Sequence, residues 1–256
     1  MEDDGGTDQK EYVNHLVMRG KEMNTFNDIG IKKELDWERI RHLYKIGIFA
    51  GIMVLIGDML LGWGVTDMSK TGLEQYFSRY LTVSDKRIFW SALLGLIGIP
   101  LETLSWFAIY RLIAPYSEKQ AHLYRSGIIG MLMSGALVHM LCCATVYHFK
   151  VLYSVDSEAA ISSVTRFAGY FLVPATVIMS VFFVLLVTVQ IQAFSKGNTP
   201  YPKWCWVFTV LFGFVDIALM RLAGNHSWAY ALSTGWISIG NLWMLGGLLV
   251  TGRKHA

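Results

Sequence analysis

The sequence predicts an all-α integral membrane protein with six transmembrane helices, a short outer amphipathic helix and both termini in the cytoplasm. Hydrophobic residues make up 54% of the 256 residues and charged residues only 16%, whereas about a quarter of an ordinary soluble domain is charged. The apolar residues fall in long blocks, and charges are confined to the gaps between them. Because lipid offers backbone groups no hydrogen-bond partner, such blocks form helices.

Six apolar blocks are long enough to cross a bilayer, since a spanning helix needs about 20 residues. They cover residues 46–66, 88–112, 126–147, 167–193, 204–222 and 229–251. This pattern predicts a cytoplasmic polar and interfacial segment (1–45), a six-helix transmembrane domain (46–251) and a cytoplasmic tail (252–256). Residues 35–45 mix apolar and charged side chains and suit a short interfacial helix. About 45 mostly polar residues precede the first block, so we expect no cleavable signal peptide.

The orientation follows from the basic residues near the predicted helix ends. Twelve lie on the side that holds both termini and seven on the other side. Because basic residues are retained in the cytoplasm, this bias predicts cytoplasmic termini in a multi-pass protein of the cell membrane. Pro100 and Pro174 are the only prolines inside the blocks, and we expect no span to be broken in mid-membrane.

Two pairs of residues have the spacing of a helix-capping box. Thr71 and Glu74 form the first pair, and apolar residues follow at helical spacing, which predicts an amphipathic helix over Leu73–Leu81 on the outer membrane surface. This helix is either a lid over a membrane site or an interfacial strut. Ser117 and Gln120 form the second pair, which predicts the start of the third long helix.

Five of the six blocks contain one strongly polar residue each. These are Asp58, Glu102, His139, Asp216 and Asn241, in the first, second, third, fifth and sixth blocks. Counted from the basic residue at the cytoplasmic end of each helix, they lie at similar depths of roughly 14–21 Å. An acid at the bilayer centre costs about 2.5–3.5 kcal/mol to insert. We therefore expect these side chains to face one another inside the bundle.

A buried acid that exchanges its proton near neutral pH suits proton transfer in catalysis or in transport. The alternative role is polar contact between helices, worth about 0.6 kcal/mol for each contact. The predicted catalytic residues are Asp58, Glu102, His139 and Asp216, and the predicted substrate-binding residues are Asn241 and Trp106.

Other kinds of site find little support. Cys143 follows His139 by one helical turn, but one deep histidine does not match the three of membrane zinc hydrolases, and we predict no metal and no cofactor. The absence of lysine from the blocks excludes a retinal Schiff base. The net charge of +3 and the lack of a basic run argue against nucleic-acid binding. The three cysteines form no disulfide framework.

The two halves of the chain show a faint internal repeat. The third and sixth blocks each carry a hydroxyl residue and a glycine ahead of their polar residue, namely Ser134-Gly135 and Thr234-Gly235. Two three-helix halves would have inverted topology, which is common in transporters.

Several short motifs resemble a family of uncharacterised bacterial six-helix membrane proteins that is known as a domain of unknown function. They are Gly57-Asp58-Met59-Leu60-Leu61, the glycine-rich stretch Ser84–Glu102, His139, Pro202-Lys203-Trp204 and Gly240-Asn241-Leu242. The resemblance extends over residues 46–251. It implies a fold and a set of positions but no reaction.

Three functions remain open at this point. The first is an intramembrane enzyme that acts on a lipid or apolar small molecule by acid–base chemistry, with Trp63, Trp106 and Trp243 lining an apolar cavity. The second is a proton-coupled transporter or channel, and the third is a structural or accessory membrane protein. The expected partners are the lipid bilayer and, for an enzyme, that apolar substrate.

The predicted orientation can be tested by cysteine labelling in a variant that lacks the native cysteines. Gly30→Cys and His255→Cys should react with a membrane-impermeant maleimide only after the membrane is permeabilised, while Ser69→Cys in the outer loop should react in intact cells. Labelling of either terminal position in intact cells would contradict the orientation.

Overall fold

The computed structural model describes residues 35–252, and every regular element in this range is helical. Most of the predicted N-terminal segment and of the tail lies outside the described residues. The helices in chain order are α1 (Trp37–Gly62), α2 (Gly72–Ser78), α3 (Asp85–Ser105), α4 (Phe107–Ile113), α5 (Glu118–Tyr153), α6 (Ser157–Phe167), α7 (Val173–Lys196), α8 (Phe212–Leu222), α9 (Ser227–Thr234) and α10 (Trp236–Thr251). A π-helical segment, Ala168–Leu172, joins α6 to α7, and a 3₁₀ helix, Lys203–Val207, precedes α8.

Four helical stretches are long and apolar enough to cross a membrane: Trp37–Gly62, Asp85–Ile113, Glu118–Tyr153 and Ser157–Lys196. They account for the first four predicted blocks. The first stretch is continuous from Trp37, so residues 37–45 form the initial turns of α1 rather than a separate interfacial helix.

Trp106, between α3 and α4, keeps helical backbone angles (φ −66°, ψ −13°), so the second block is one stretch. The fifth and sixth blocks are broken, and the expectation of uninterrupted spans is wrong. In the fifth block, non-helical residues 208–211 separate the 3₁₀ helix from α8. In the sixth block, Gly235 separates α9 from α10. A break in an apolar environment frees backbone carbonyl groups that need other donors. Gln190 Nε2 donates to the Phe208 carbonyl at 2.8 Å and Trp243 Nε1 donates to the Val207 carbonyl at 3.1 Å, and these bonds make the break tolerable.

Glycines let the two broken segments pack backbone against backbone. A Cβ atom on Gly240 would lie 2.1 Å from the Val210 carbonyl oxygen, and one on Gly213 would lie 2.0 Å from the Trp236 carbonyl oxygen. Small residues allow this close approach between helices in membranes. The broken blocks therefore form one interlocked unit, and α1 packs against it through α9 and α10.

The remaining helices pack in sequence around α1, with α3 on α1, α5 on α3 and α7 on α5. Ser117 caps α5 as predicted, because its hydroxyl accepts from the Gln120 N–H at 3.4 Å. The end of α1 and residues 63–84 lie on one side of the bundle, called the α2 side below. The loop between α8 and α9 lies there too, since the Asn225 side chain exchanges hydrogen bonds with the Thr66 backbone.

Helix α2 is shorter than predicted. It ends at Ser78, and turns continue the chain through residue 82. Thr71 occupies the N-cap position without a side-chain bond, because Glu74 instead accepts hydrogen bonds from Lys70 and from Tyr153 at the end of α5. Phe77 stacks against Phe149 with ring centroids 5.0 Å apart. The segment is thus fixed to the end of α5.

We expect Gly240→Ala to destabilise the protein by about 1–3 kcal/mol, because the new methyl group would meet the Val210 backbone. Thermal unfolding in detergent would show this as a lower midpoint. Gly246→Ala in the same helix is the matched control, since a Cβ there meets nothing within 4 Å. Equal effects of the two changes would show that the close contact is not required.

Candidate functional site

Asp58 of α1 and His139 of α5 form an ion-pair contact inside the bundle. Oδ1 of Asp58 lies 3.4 Å from Nδ1 of His139, and the two side chains are 13% and 9% exposed. The other ring nitrogen, Nε2, lies 3.0 Å from the Ser91 carbonyl oxygen on α3. Both ring nitrogens therefore face acceptors, and only the protonated imidazolium can donate to both. The geometry fits a charged pair that joins α1, α3 and α5.

The same carboxylate is bonded to the beginning of α10. The Ser238 hydroxyl, in the first turn of that helix, donates to Oδ2 of Asp58 at 2.9 Å. A Cβ atom on Gly235, where α9 and α10 separate, would lie 3.5 Å from the Asp58 Cβ. The positive end of a helix dipole attracts negative charge within its first turn. Asp58 is thus held by a histidine on one side and by the half-helix α10 on the other.

Glu102 and Asn241 form a second, unsatisfied pair of polar side chains. Glu102 is 4% exposed and Asn241 is 1% exposed. Oε1 of Glu102 and both amide atoms of Asn241 have no hydrogen-bond partner among residues 35–252. A Cβ atom on Gly51 of α1 would lie 2.9 Å from Oε1 of Glu102 and 3.1 Å from Cδ2 of Leu242, the residue after Asn241. Each buried orphan group costs about 1–3 kcal/mol of stability.

The other two predicted site residues, Asp216 and Trp106, form no hydrogen bond or ion pair with the cluster in the described part of the chain. Asp216 on α8 has one buried carboxyl oxygen without a partner, and no hydrogen bond or ion pair joins it to Asp58, Glu102 or His139 in the described part of the chain. Trp106 is 3% exposed, and its indole nitrogen is also unpartnered. Similar depth therefore did not bring every polar residue to the same place.

A cavity of about 690 Å³ lies on the α2 side of the cluster. Its wall is formed by α2, by parts of α1, α5, α8 and α9, and by the π segment. Thr234 and Trp236, on either side of Gly235, belong to this wall and connect it to the Asp58 contact. Trp63, Trp106 and Trp243, predicted to line an apolar cavity, do not line this one.

Arg79 and Arg221, two of the seven basic residues counted on the outer side, line this cavity. Arg79 follows α2, and its guanidinium lies 4.4, 4.7 and 5.1 Å from the ring centres of Tyr76, Tyr80 and Tyr230. Arg221 lies in the last turn of α8. The sequence already distinguishes both residues, because Arg221 falls inside a predicted span and Arg79 lies within an aromatic run.

Polar contacts fix the segment that covers the cavity. Hydrogen bonds from Lys70 and then from Tyr153 lower the pKa of Glu74, so its carboxylate stays charged. Burial raises the pKa of the Tyr80 hydroxyl, which therefore stays neutral beside Arg79. No three His, Cys, Asp or Glu side chains between residues 35 and 252 are grouped to hold a metal ion.

Comparison with known families identifies where the chain belongs. A family model described as a family of unknown function, DUF6796, matches residues 23–255. The chain belongs to the DUF6796 family. This confirms the predicted resemblance to an uncharacterised domain family. No curated protein and no solved structure matches the chain. The polar cluster, the two breaks and the cavity all lie within the DUF6796 match.

Double-mutant cycles should show that Asp58 is energetically coupled to His139 and that Asp216 is not. We expect Asp58→Asn and His139→Gln to be coupled by about 1–3 kcal/mol in unfolding free energy, because each change removes the same contact. Asp216→Asn and His139→Gln should be additive to within about 0.5 kcal/mol. Equal coupling in the two cycles would contradict the described arrangement.

Proposed function

We propose that this member of the DUF6796 family is a multi-pass protein of the cell membrane that carries a small molecule across the membrane together with a proton. The proposed architecture has six crossings and cytoplasmic termini, with 1–45 and 252–256 in the cytoplasm and 46–251 as the transmembrane domain. Four long apolar helices support four crossings. The stretch Ser227–Thr251 supports another, since its 25 residues, with Gly235 between α9 and α10, extend over at most about 37 Å. The broken fifth block, 204–222, is the remaining proposed crossing.

The observation that carries the proposal is the contact between a buried acid and a broken helix. Transporters bind substrates and coupling ions where discontinuous helices expose half-helix ends near the midplane. Here α10 begins inside the sixth block, and its first turn is bonded to Asp58. The fifth block is broken as well and packs directly against α10. Non-helical backbone at this depth is tolerated only where protein or a water-filled cavity surrounds it.

Proton binding at Asp58 would change the contacts that hold α10. The ionised carboxylate attracts both the His139 imidazolium and the beginning of α10, whereas the neutral acid attracts neither strongly. Gly235 then provides the point at which α9 and α10 can change their relative angle. Because Thr234 and Trp236 belong to the cavity wall, such a change would reshape the cavity. Proton binding at Asp58 and the shape of the cavity would be coupled through Gly235.

We infer that Glu102 carries the proton further from the cavity. Its carboxyl packs over Gly51, where a Cβ would lie 2.9 Å from Oε1. Gly51 precedes Asp58 by two turns of α1, or about 10 Å, and so lies away from the α2 side. Asn241 lies one turn beyond Ser238 in the same direction along α10. Asp58, Glu102 and Asn241 thus form a series of polar groups that runs away from the cavity.

Acid–base catalysis on a substrate in the cavity is the second candidate. A catalytic acid must reach within about 2.6–3.2 Å of the reacting group, and Asp58, Glu102, His139 and Asp216 do not line the cavity. One feature still favours a lipid substrate. Leu172 borders both the cavity and an apolar groove on the outer face of α7. This shared residue would let an apolar molecule enter from the side.

Proteoliposomes under an inward proton gradient would test the two candidates together. After incubation with a metabolite and lipid extract, mass spectrometry of the contents should show at least one accumulated compound with the native protein. A protonophore should abolish this accumulation, and Asp58→Asn should reduce it at least tenfold. Asp85→Asn is the matched control, because this acid is also paired, with Lys150 at 2.6 Å, but lies at a helix start and is well exposed.

The alternative outcomes are distinct. Compounds that are chemically altered rather than accumulated, with the alteration lost in Asp58→Asn, would support the enzyme and overturn transport. Accumulation that persists in Asp58→Asn would overturn the role given to the buried pair.

A further inference from the structure

The cavity wall carries positive charge without a compensating acid. Among the described residues, Arg79 and Arg221 line the cavity and no Asp or Glu does. The acid nearest to Arg79 along the chain, Glu74, is occupied by Lys70 at 2.7 Å and by Tyr153 at 3.0 Å. The acid nearest to Arg221 along the chain, Asp216, forms no ion pair among the described residues and does not line the cavity. A cavity lined by one sign of charge attracts the opposite sign.

Arg79 is held in place but not neutralised. Nη2 donates to the Tyr80 hydroxyl at 2.7 Å, and aromatic rings of three tyrosines surround the guanidinium. Its Nε is buried and has no hydrogen-bond partner among the described residues. Tyrosine rings support a cation through their faces, yet they leave N–H groups free. A guanidinium fixed in this way is prepared to donate to an anion.

Arg221 lines the same cavity. It is exposed, it lies on α8 one turn beyond the cavity residue Ile217, and its side chain forms no ion pair within residues 35–252. Arginine donates two parallel hydrogen bonds to carboxylate or phosphate. Two such groups in one cavity are suited to a head group of this kind.

The rest of the wall is mainly apolar. Leu61, Phe77, Val146, Leu172 and Ile217 supply hydrocarbon and aromatic surface around the two arginines. Pockets for drug-sized ligands have volumes of about 300–1,000 Å³, and 690 Å³ lies within that range. Leu172 also borders the groove along α7, which extends the apolar surface outward.

We propose that this cavity binds a single-chain amphipathic anion, with its carboxylate or phosphate head between Arg79 and Arg221 and its apolar part against Leu172 and Ile217. Such an anion would be the substrate class of the proposed transporter. The statement that the anion is carried across the membrane rests on that proposed function. Binding itself does not depend on transport. The ligand comes either from the bilayer, as a single-chain lipid, or from water, as a small aromatic acid.

The test uses the full chain in nanodiscs of uncharged lipid and measures Trp fluorescence and the unfolding midpoint. Trp236 lines the cavity and reports its occupation. Dodecanoate and dodecyl phosphate should bind and raise the midpoint. Dodecanol, which has the same chain without charge, and dodecyltrimethylammonium, which has the opposite charge, should bind at least tenfold more weakly. Inorganic phosphate, which lacks the chain, should also bind at least tenfold more weakly.

Variants locate the site. Arg221→Gln should weaken dodecyl phosphate binding at least tenfold without loss of folding, because this residue is exposed. Arg79→Gln should weaken it as much or more. Arg166→Gln is the matched control, since Arg166 is an exposed arginine on α6 outside the cavity wall. Unchanged binding in Arg221→Gln, or equal binding of dodecanol or inorganic phosphate, would overturn the proposal.

Two further measurements identify the source of the ligand and test whether binding depends on transport. Competition by 4-phenylbutyrate at concentrations similar to dodecanoate would support an aqueous aromatic acid, and failure to compete would support a lipid. Anion binding without proton-driven accumulation would retain this site and overturn the transporter. Accumulation of a neutral or cationic compound, without anion binding, would retain the transporter and overturn this site.

Discussion

Hydrocarbon supplies no hydrogen-bond partner, and this constraint explains the main features of the structure. The breaks in the fifth and sixth blocks are stable because Gln190 and Trp243 donate to freed carbonyl groups and because glycines let the two segments share backbone surface. Asp58 is accommodated because His139 lies 3.4 Å from Oδ1 and Ser238 donates to Oδ2. Where the constraint is not met, at Glu102 and Asn241, buried polar atoms have no hydrogen-bond partner among the described residues. The satisfied and unsatisfied groups together define the polar cluster.

Hydropathy and residue counting predicted the part of the fold that depends on length and depth. Four predicted blocks coincide with helices long enough to span, and counting along α1 and α5 placed Asp58 and His139 at a common level. Counting residues does not show in which direction a side chain points around the helix axis. Asp216 has a similar predicted depth, but it forms no hydrogen bond or ion pair with the others among the described residues. Thr234-Gly235 was noted only as part of an internal repeat, although a glycine beside a threonine also permits the change of backbone path found there.

Charge was interpreted too narrowly from the sequence. Arg79 and Arg221 counted as topological residues, but both line the cavity on the α2 side. The amphipathic segment was assigned two roles, lid and strut, and its geometry has elements of each. It is fixed to the end of α5 through Phe149 and Tyr153, and its residues also cover the cavity. The aromatic run that predicted a helix is also the set of rings around Arg79.

The contacts that hold α2 respond to the ionic environment of the protein. Lys70 and Glu74 are partly exposed, at 22% and 41% of their side chains, whereas Asp58 and His139 are largely shielded. Dissolved salt screens exposed charges over a distance of about 8 Å at physiological ionic strength, and it affects buried pairs much less. Salt therefore weakens the cover of the cavity and leaves the inner pair unchanged. The outer charged contact therefore depends on the ionic strength of the medium and the inner one does not.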